Sequence, residues 1–275
     1  MTAALVDHLR TLYAPTIQVA WPSLMTALAL SVAGGCVGVF VVLRREALLV
    51  LALPQVVTLG AAIGLRLALP TLPTAGAGVL VSLGLIAWSR RRESHLLVLP
   101  ALYVAGVSVS ILLVAGAGAH LIEVQNLFTG IDVAVTDRES VVVSTLLLGI
   151  GGACAALWRR WLLLAQAPAV AELAGVHPRR WNALFLLFLA ALVLLATHAI
   201  GGVMIVAMLF LPAATALPWC RRIPRAIAAS VAIAIVTLFT GFVLSVECDW
   251  PLSHSVGGAG VGLFLLSHAL SQLVG

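Results

Sequence analysis

The chain contains no lysine, only 9% charged residues, and four cysteines with no close spacing between them. Each scarcity removes a class of protein. A P-loop of the GxxxxGK[ST] type needs its lysine to reach the phosphates, so this chain cannot hydrolyse ATP by that route and any such ATPase must be a separate polypeptide. Cys36, Cys154, Cys220 and Cys248 are scattered and form no CxxC pair, so no disulfide framework is implied. A soluble domain carries about a quarter of its residues as charges. With 62% hydrophobic residues and a mean hydropathy of +1.16, the chain instead reads as a polytopic membrane protein.

The few charges are placed unevenly. Of the 15 basic side chains, all arginine, 12 fall in four clusters: Arg44 and Arg45, then Arg90 to Arg92, then Arg159, Arg160, Arg179 and Arg180, then Arg221, Arg222 and Arg225. Consecutive clusters are separated by room for two membrane crossings, so all four land on one side, the cytoplasm by the positive-inside rule. Seven of the ten acids (Asp7, Glu123, Asp132, Asp137, Glu139, Glu247 and Asp249) fall on the other side. The arginines are dispersed over loops without an aromatic-basic stretch, so the basic pI of about 9.7 signals topology and not nucleic acid.

A spanning helix needs about 20 apolar residues. Nine runs qualify: 20–43, 47–69, 73–89, 96–118, 140–158, 182–199, 202–219, 226–246 and 253–273. The expected fold is therefore an all-α membrane helix bundle of eight to nine spans in one domain covering 1–275, multi-pass in a bacterial inner membrane. The stretch from Trp181 to Trp219 has no formal charge and must be two crossings, with Gly201-Gly202 as the break. Residues 1–16, with Asp7, His8 and Arg10, read as a short outer-surface segment ahead of the first span.

Within the spans, ionisable groups are nearly absent. Arg66, His198 and His268 lie clearly inside them, whereas a proton-driven transporter needs a carboxylate or histidine relay at membrane depth. An intramembrane enzyme would need a catalytic set, yet there is no HExxH helix, and Ser108 and Ser110 have no His or Asp nearby in sequence. A channel or facilitator would work without an ATPase, and stays open as an alternative. An ATP-driven machine needs a docking surface for its ATPase, and the long cytoplasmic loop from Arg159 to Arg180 offers one. Its centre, Ala165 to Gly175, predicts a short helix: Pro168 suits a first turn, the alanines and Leu173 favour helix, and Gly175 supplies a stop. The alternative for this segment is a helix lying flat on the lipid surface.

Four stretches then carry a resemblance: Gly38 to Glu46 (GVFVVLRRE), Thr58 to Gly64 (TLGAAIG), Pro168 to Arg180 (PAVAELAGVHPRR) and above all Ile200 to Ala216 (IGGVMIVAMLFLPAATA). In order along residues 20 to 270 they resemble the ABC-3 family, the permease subunits of zinc, manganese and iron ATP-binding cassette importers. The resemblance implies a type II importer-like bundle, a second permease copy forming a homodimer, a cytoplasmic ATP-binding subunit and an extracytoplasmic metal-binding protein. It also implies that no cofactor is bound by this chain, ATP and Mg belonging to the partner. The 165–175 helix would then be the coupling helix, with Pro168, Glu172 and Gly175 facing the ATPase and moving as a rigid body with it.

One departure from the family bears on cargo. Where the family carries an aspartate and, four residues later, a histidine in the second span, this chain has Leu51 and Gln55. Such a pair shares one helix face and would offer a metal one oxygen and one nitrogen; leucine cannot ligate and glutamine offers only a neutral oxygen. Three explanations stay open. Other ligands on the outer half, His198, His254 and His120, take the metal; or the cargo is a metal chelate or other small solute; or a second permease supplies the missing groups. Pro54 beside Gln55, and Pro212 in the seventh span, are either packing kinks or bends lining a translocation path. Glycines at 34, 35 and 38, at 60 and 64, and at 257, 258, 260 and 262 predict close helix packing. The outer loop from His120 to Arg138, with Glu247 and Asp249, predicts an acidic rim that docks a basic surface or draws in cations.

Overall fold

Chain regions rich in apolar residues and poor in turn signals become helices because, in hydrocarbon, every backbone N–H and C=O must be paired within its own segment. The computed structural model describes residues 2–90, 95–114, 136–173 and 176–274, and is all-α over them. The helices are α1 (Thr2–Leu43), α2 (Ala47–Arg66), α3 (Thr71–Arg90), α4 (His95–Val114), α5 (Asp137–Ala156), α6 (Trp158–Gln166), α7 (Pro168–Leu173), α8 (Pro178–Ile200), α9 (Gly202–Ala216), α10 (Ile223–Cys248) and α11 (Leu252–Val274), with a 3-10 turn at Leu217–Trp219. Each of the nine apolar runs coincides with one of these. Seven are long and apolar enough to span a membrane by length and composition, and α4 contributes a shorter apolar stretch, Val98–Val114.

Residues 1–16 continue into the first span, whose candidate membrane stretch begins at Ala20: α1 runs unbroken from Thr2 to Leu43, 42 residues. At 1.5 Å per residue that is a rod of about 60 Å, roughly twice the hydrocarbon thickness of about 30 Å. The cytoplasmic loop was expected to hold one helix over 165–175, but Ala165 and Gln166 finish α6, and α7 occupies Pro168–Leu173. α6 escapes a search for spans because its apolar run, Trp161 to Ala165, is too short; it is amphipathic, with Trp161 and Leu164 buried and Arg159 exposed.

α1 and α2 form the centre of the bundle; 78% of the first span's apolar window is buried against 22% for α3. α1 packs on α5, α9 and α10, and α2 on α3 and α4. The close approaches occur at glycine. A Cβ on Gly35 would lie 2.8 Å from the Val231 Cα, and one on Gly60 2.6 Å from the Ala75 Cα. Gly34 and Gly38 meet backbone of α9 at Met208 and Leu209. Without a hydrophobic drive in lipid, such backbone contact is what associates helices. The α11 row behaves otherwise than expected: Gly257, Gly258 and Gly262 face open space, and only Gly260 packs, against Leu211 and Thr237.

Two turns complete the frame. Gly201, between α8 and α9, has φ 92°, a backbone conformation that only glycine adopts without strain, and so sets the break expected at Gly201-Gly202. At the end of α1 the Arg45 N–H bonds to the Val42 carbonyl and the Glu46 N–H to the Val41 carbonyl, the paired bonds of a Schellman stop. The left-handed position of that stop is held by Arg45, at φ 57°.

Candidate functional site

Two regions carry several of the side chains singled out from sequence: the middle of α2, and the platform beneath α7.

On α2, Pro54 is buried and its carbonyl accepts a 3.0 Å bond from the Thr58 hydroxyl. Gln55, next along, is half-buried and clamped by α4: a Cβ on Gly106 would lie 2.6 Å from the Gln55 Cβ and 2.8 Å from its carbonyl oxygen. Only glycine permits α4 to approach so closely. The Gln55 Oε1 is itself buried and has no hydrogen-bond partner. An orphaned amide oxygen in a low-dielectric interior costs about 1–3 kcal/mol. Leu51, one turn toward the cytoplasm, keeps 39% of its surface exposed. Pro212 lies buried inside α9.

The histidines are apart from this region. His198 sits near the outer end of α8, half-buried, within electrostatic range of Glu139 on the first turn of α5. That turn starts with a capping box, the Thr136 hydroxyl and the Glu139 carboxylate each bonding the other's backbone N–H. His254 is exposed on the first turn of α11, in a recess of about 230 Å³ with Trp250 and Pro251. His120 lies outside the described residues. Among the described residues no three His, Cys, Asp or Glu side chains gather as a metal cluster.

The platform was not legible as a unit in the sequence. Trp161 of α6 is fully buried and meets Trp181, Phe185 and Phe188 of α8 edge-on at 5.3, 5.5 and 6.4 Å. Arg44, read from sequence only as a topology marker, enters this cluster: its Cζ lies 4.3 Å from the Phe185 ring centroid and 5.7 Å from that of Trp161, and its Nη2 donates to Asn182 Oδ1 at 3.0 Å. Arg160 covers Trp181 at 4.6 Å. The end of α1, α6 and the start of α8 are thereby tied together. The signal available was the density of tryptophan beside arginine over 158–181, but the pairing with Arg44 depends on the tertiary fold.

On this base stands α7. Ala171 is fully buried, while Val170 is 53% and Leu173 90% exposed, and Glu172 is exposed between them. Pro168 opens the helix, as expected, and a bond from the Val176 N–H to the Ala171 carbonyl closes it. Gly175 lies outside the described residues.

The profile of the ABC 3 transport family matches residues 16–271. The chain belongs to that family. The ABC 3 chain is 21% identical over 252 residues to the high-affinity zinc uptake system membrane protein ZnuB of Haemophilus influenzae, spanning 91% of this chain and 97% of that one. It is 24% identical over 257 residues to the manganese transport system membrane protein MntC of Halalkalibacterium halodurans, spanning 92% and 87%. Among solved structures, PsaBC from Streptococcus pneumoniae in complex with Fab superposes with a TM-score of 0.78 at 21% identity, over 97% of this chain and 95% of that one. At that identity the superposition establishes the fold. The ABC 3 protein is thus a multi-pass membrane transporter subunit.

Proposed function

We propose that this protein is the permease of a bacterial inner-membrane importer for a divalent metal ion, zinc or manganese, fed by an extracytoplasmic metal-binding protein. A separate cytoplasmic ATPase, carrying the ATP and Mg, drives it, and two permease copies form the pore. The observation that carries the reading is α7. A six-residue helix that buries Ala171 in its own platform while holding Leu173 90% exposed offers an apolar knob to a protein groove. The Arg44 cluster ties the ground under α7 to α1 and α8, so motion of a bound ATPase reaches the bundle as a body. Pro168, Glu172 and Gly175 are assigned to that contact.

For the cargo path we assign Pro54, Gln55 and Pro212, with His198, His254 and His120 as outer ligands. Imidazole suits zinc and other borderline metals, and Glu139 beside His198 adds negative charge at the entrance. A second reading is favoured by one observation. With Leu51 unable to ligate and Gln55 offering a neutral, unpartnered oxygen, the mid-membrane position suits a cargo whose metal is already ligated, a chelate.

The test is ATPase activity of the complex, the chain co-purified with its ATPase, reconstituted, and supplied with the binding protein and zinc, manganese, iron, a metal chelate or no metal. Selective stimulation by one ion, lost in His198→Ala, supports the ion reading. Stimulation only by a chelate supports the second. An ATPase that never co-purifies sinks both.

A further inference from the structure

Between α9, α10 and α11, on the half of the bundle near the cytoplasmic arginines, lies a cavity of about 460 Å³. Its walls are apolar: the α10 stripe Ala229, Ala232, Ile233 and Val236 faces Leu263 and Leu270 of α11. The polar groups around it are turned on one another. The Trp219 indole N–H donates to Ser267 Oγ at 2.7 Å, and the Ser267 hydroxyl to the Thr215 carbonyl at 3.3 Å. Val236 and Leu270 each keep 53% of their surface exposed, so the cavity opens sideways between α11 and α10, the latter a candidate membrane span.

Its cytoplasmic end is charged. Arg225 is four residues before Ala229 and so lies one turn below it on the same face of α10. Arg221 and Arg222 directly follow Cys220, another wall residue, and all three arginines are exposed. Trp219, 50% exposed, stands at the same level, where tryptophan marks the membrane-water interface. The arrangement is an apolar slot with cations at the depth of the inner-leaflet headgroups.

We propose that this slot is a binding site for one anionic phospholipid of the cytoplasmic leaflet, an acyl chain between α10 and α11 and the phosphate on Arg221, Arg222 and Arg225. The charge at its foot favours a lipid over a helix: the apolar stripe from Ala229 to Val236 runs about 10 Å along the α10 axis and ends on three exposed arginines, which suit a phosphate headgroup. Because lipid tails are as apolar as the walls, selectivity comes from the headgroup, where basic clusters at the cytoplasmic surface attract anionic lipid. This assignment is independent of what cargo the protein carries.

The experiment is native mass spectrometry of the full-length chain, stripped of lipid in mild detergent and titrated with phosphatidylglycerol, phosphatidylcholine, glycerol phosphate without chains, or inorganic phosphate. The expected result is one tightly retained phosphatidylglycerol per chain, at least tenfold preferred over phosphatidylcholine, with neither tailless probe retained. Arg221→Gln, Arg222→Gln and Arg225→Gln together bring the preference below twofold, and Ala232→Phe, which fills the slot, lowers retention of both lipids. Equal retention of the two lipids, an unchanged preference in the arginine variant, or retention of inorganic phosphate as tight as that of the lipid overturns the proposal. So does a disulfide between two copies through Val236→Cys in a Cys220→Ser, Cys248→Ser background, since a second permease would then fill the slot. If Ala232→Phe does not fold, the smaller Ala229→Val and the tailless probes on the unaltered chain decide the same question.

Discussion

The Arg44 guanidinium stacks on the Phe185 ring at 4.3 Å while hydrogen-bonded to Asn182, so a residue at the end of the first span grips the start of the eighth helix. Removing it should loosen the platform under α7. Arg44→Ala is expected to cost about 2 kcal/mol, the value of a desolvated cation-π contact, read as a lower melting temperature in detergent. Arg44→Lys should recover only part, because ammonium lacks the planar face and the fork.

Arg45 holds a left-handed backbone, φ 57°, in a position where glycine is free of strain. Arg45→Gly should therefore stabilise the α1–α2 turn by about 0.5–1 kcal/mol, the relief of an αL side chain reduced by glycine's greater freedom when unfolded. A melting temperature unchanged or lowered would show that the Arg45 side chain contributes more than its backbone costs.

Gly106 is where α4 closes on Gln55. Gly106→Val drives a side chain into a space where even a Cβ would stand 2.6 Å from the Gln55 Cβ, and overpacking of this kind costs about 1–3 kcal/mol. Transport and thermal stability should both fall. Gly84, with nothing within 4 Å of its added Cβ, is the control: Gly84→Ala should leave both unchanged.

Leu173, 90% exposed on α7, contributes nothing to the bundle alone. Leu173→Asp should keep the melting temperature of the isolated chain and reduce capture of its ATPase at least tenfold, consistent with about 1.5–3 kcal/mol for one buried leucine. A variant that keeps normal capture would remove α7 from the contact.

Leu51→Asp with Gln55→His restores an i, i+4 pair facing one way. The double variant is expected to bind zinc measurably by isothermal titration where the unaltered chain does not bind it at this position, each single change having a much smaller effect. Absence of any gain would place the metal path on a different face of α2.

How much of this was legible beforehand follows the physics of each feature. Chain length per span is a property of consecutive residues, so the helices, their order and the Gly201 break could be read directly. The join of residues 1–16 to the first span could not, because polar residues and Pro15 in a helix look like a boundary. α6 was missed since its apolar run, Trp161 to Ala165, is far shorter than the roughly 20 residues of a span.

The sequence by itself determined a lysine-free, all-helical membrane bundle with most of its arginines clustered between apolar runs, because hydrocarbon imposes length, apolarity and internal hydrogen bonding on every segment that crosses it. Tertiary structure alone decided that Arg44 belongs to an aromatic cluster more than 100 residues away in sequence, that the glycines of α1 and α2 pack while most of those in α11 do not, and that Arg225 stands at the foot of an apolar slot. Those are contacts between helices, and packing in lipid rests on which backbones can approach and not on how apolar each one is.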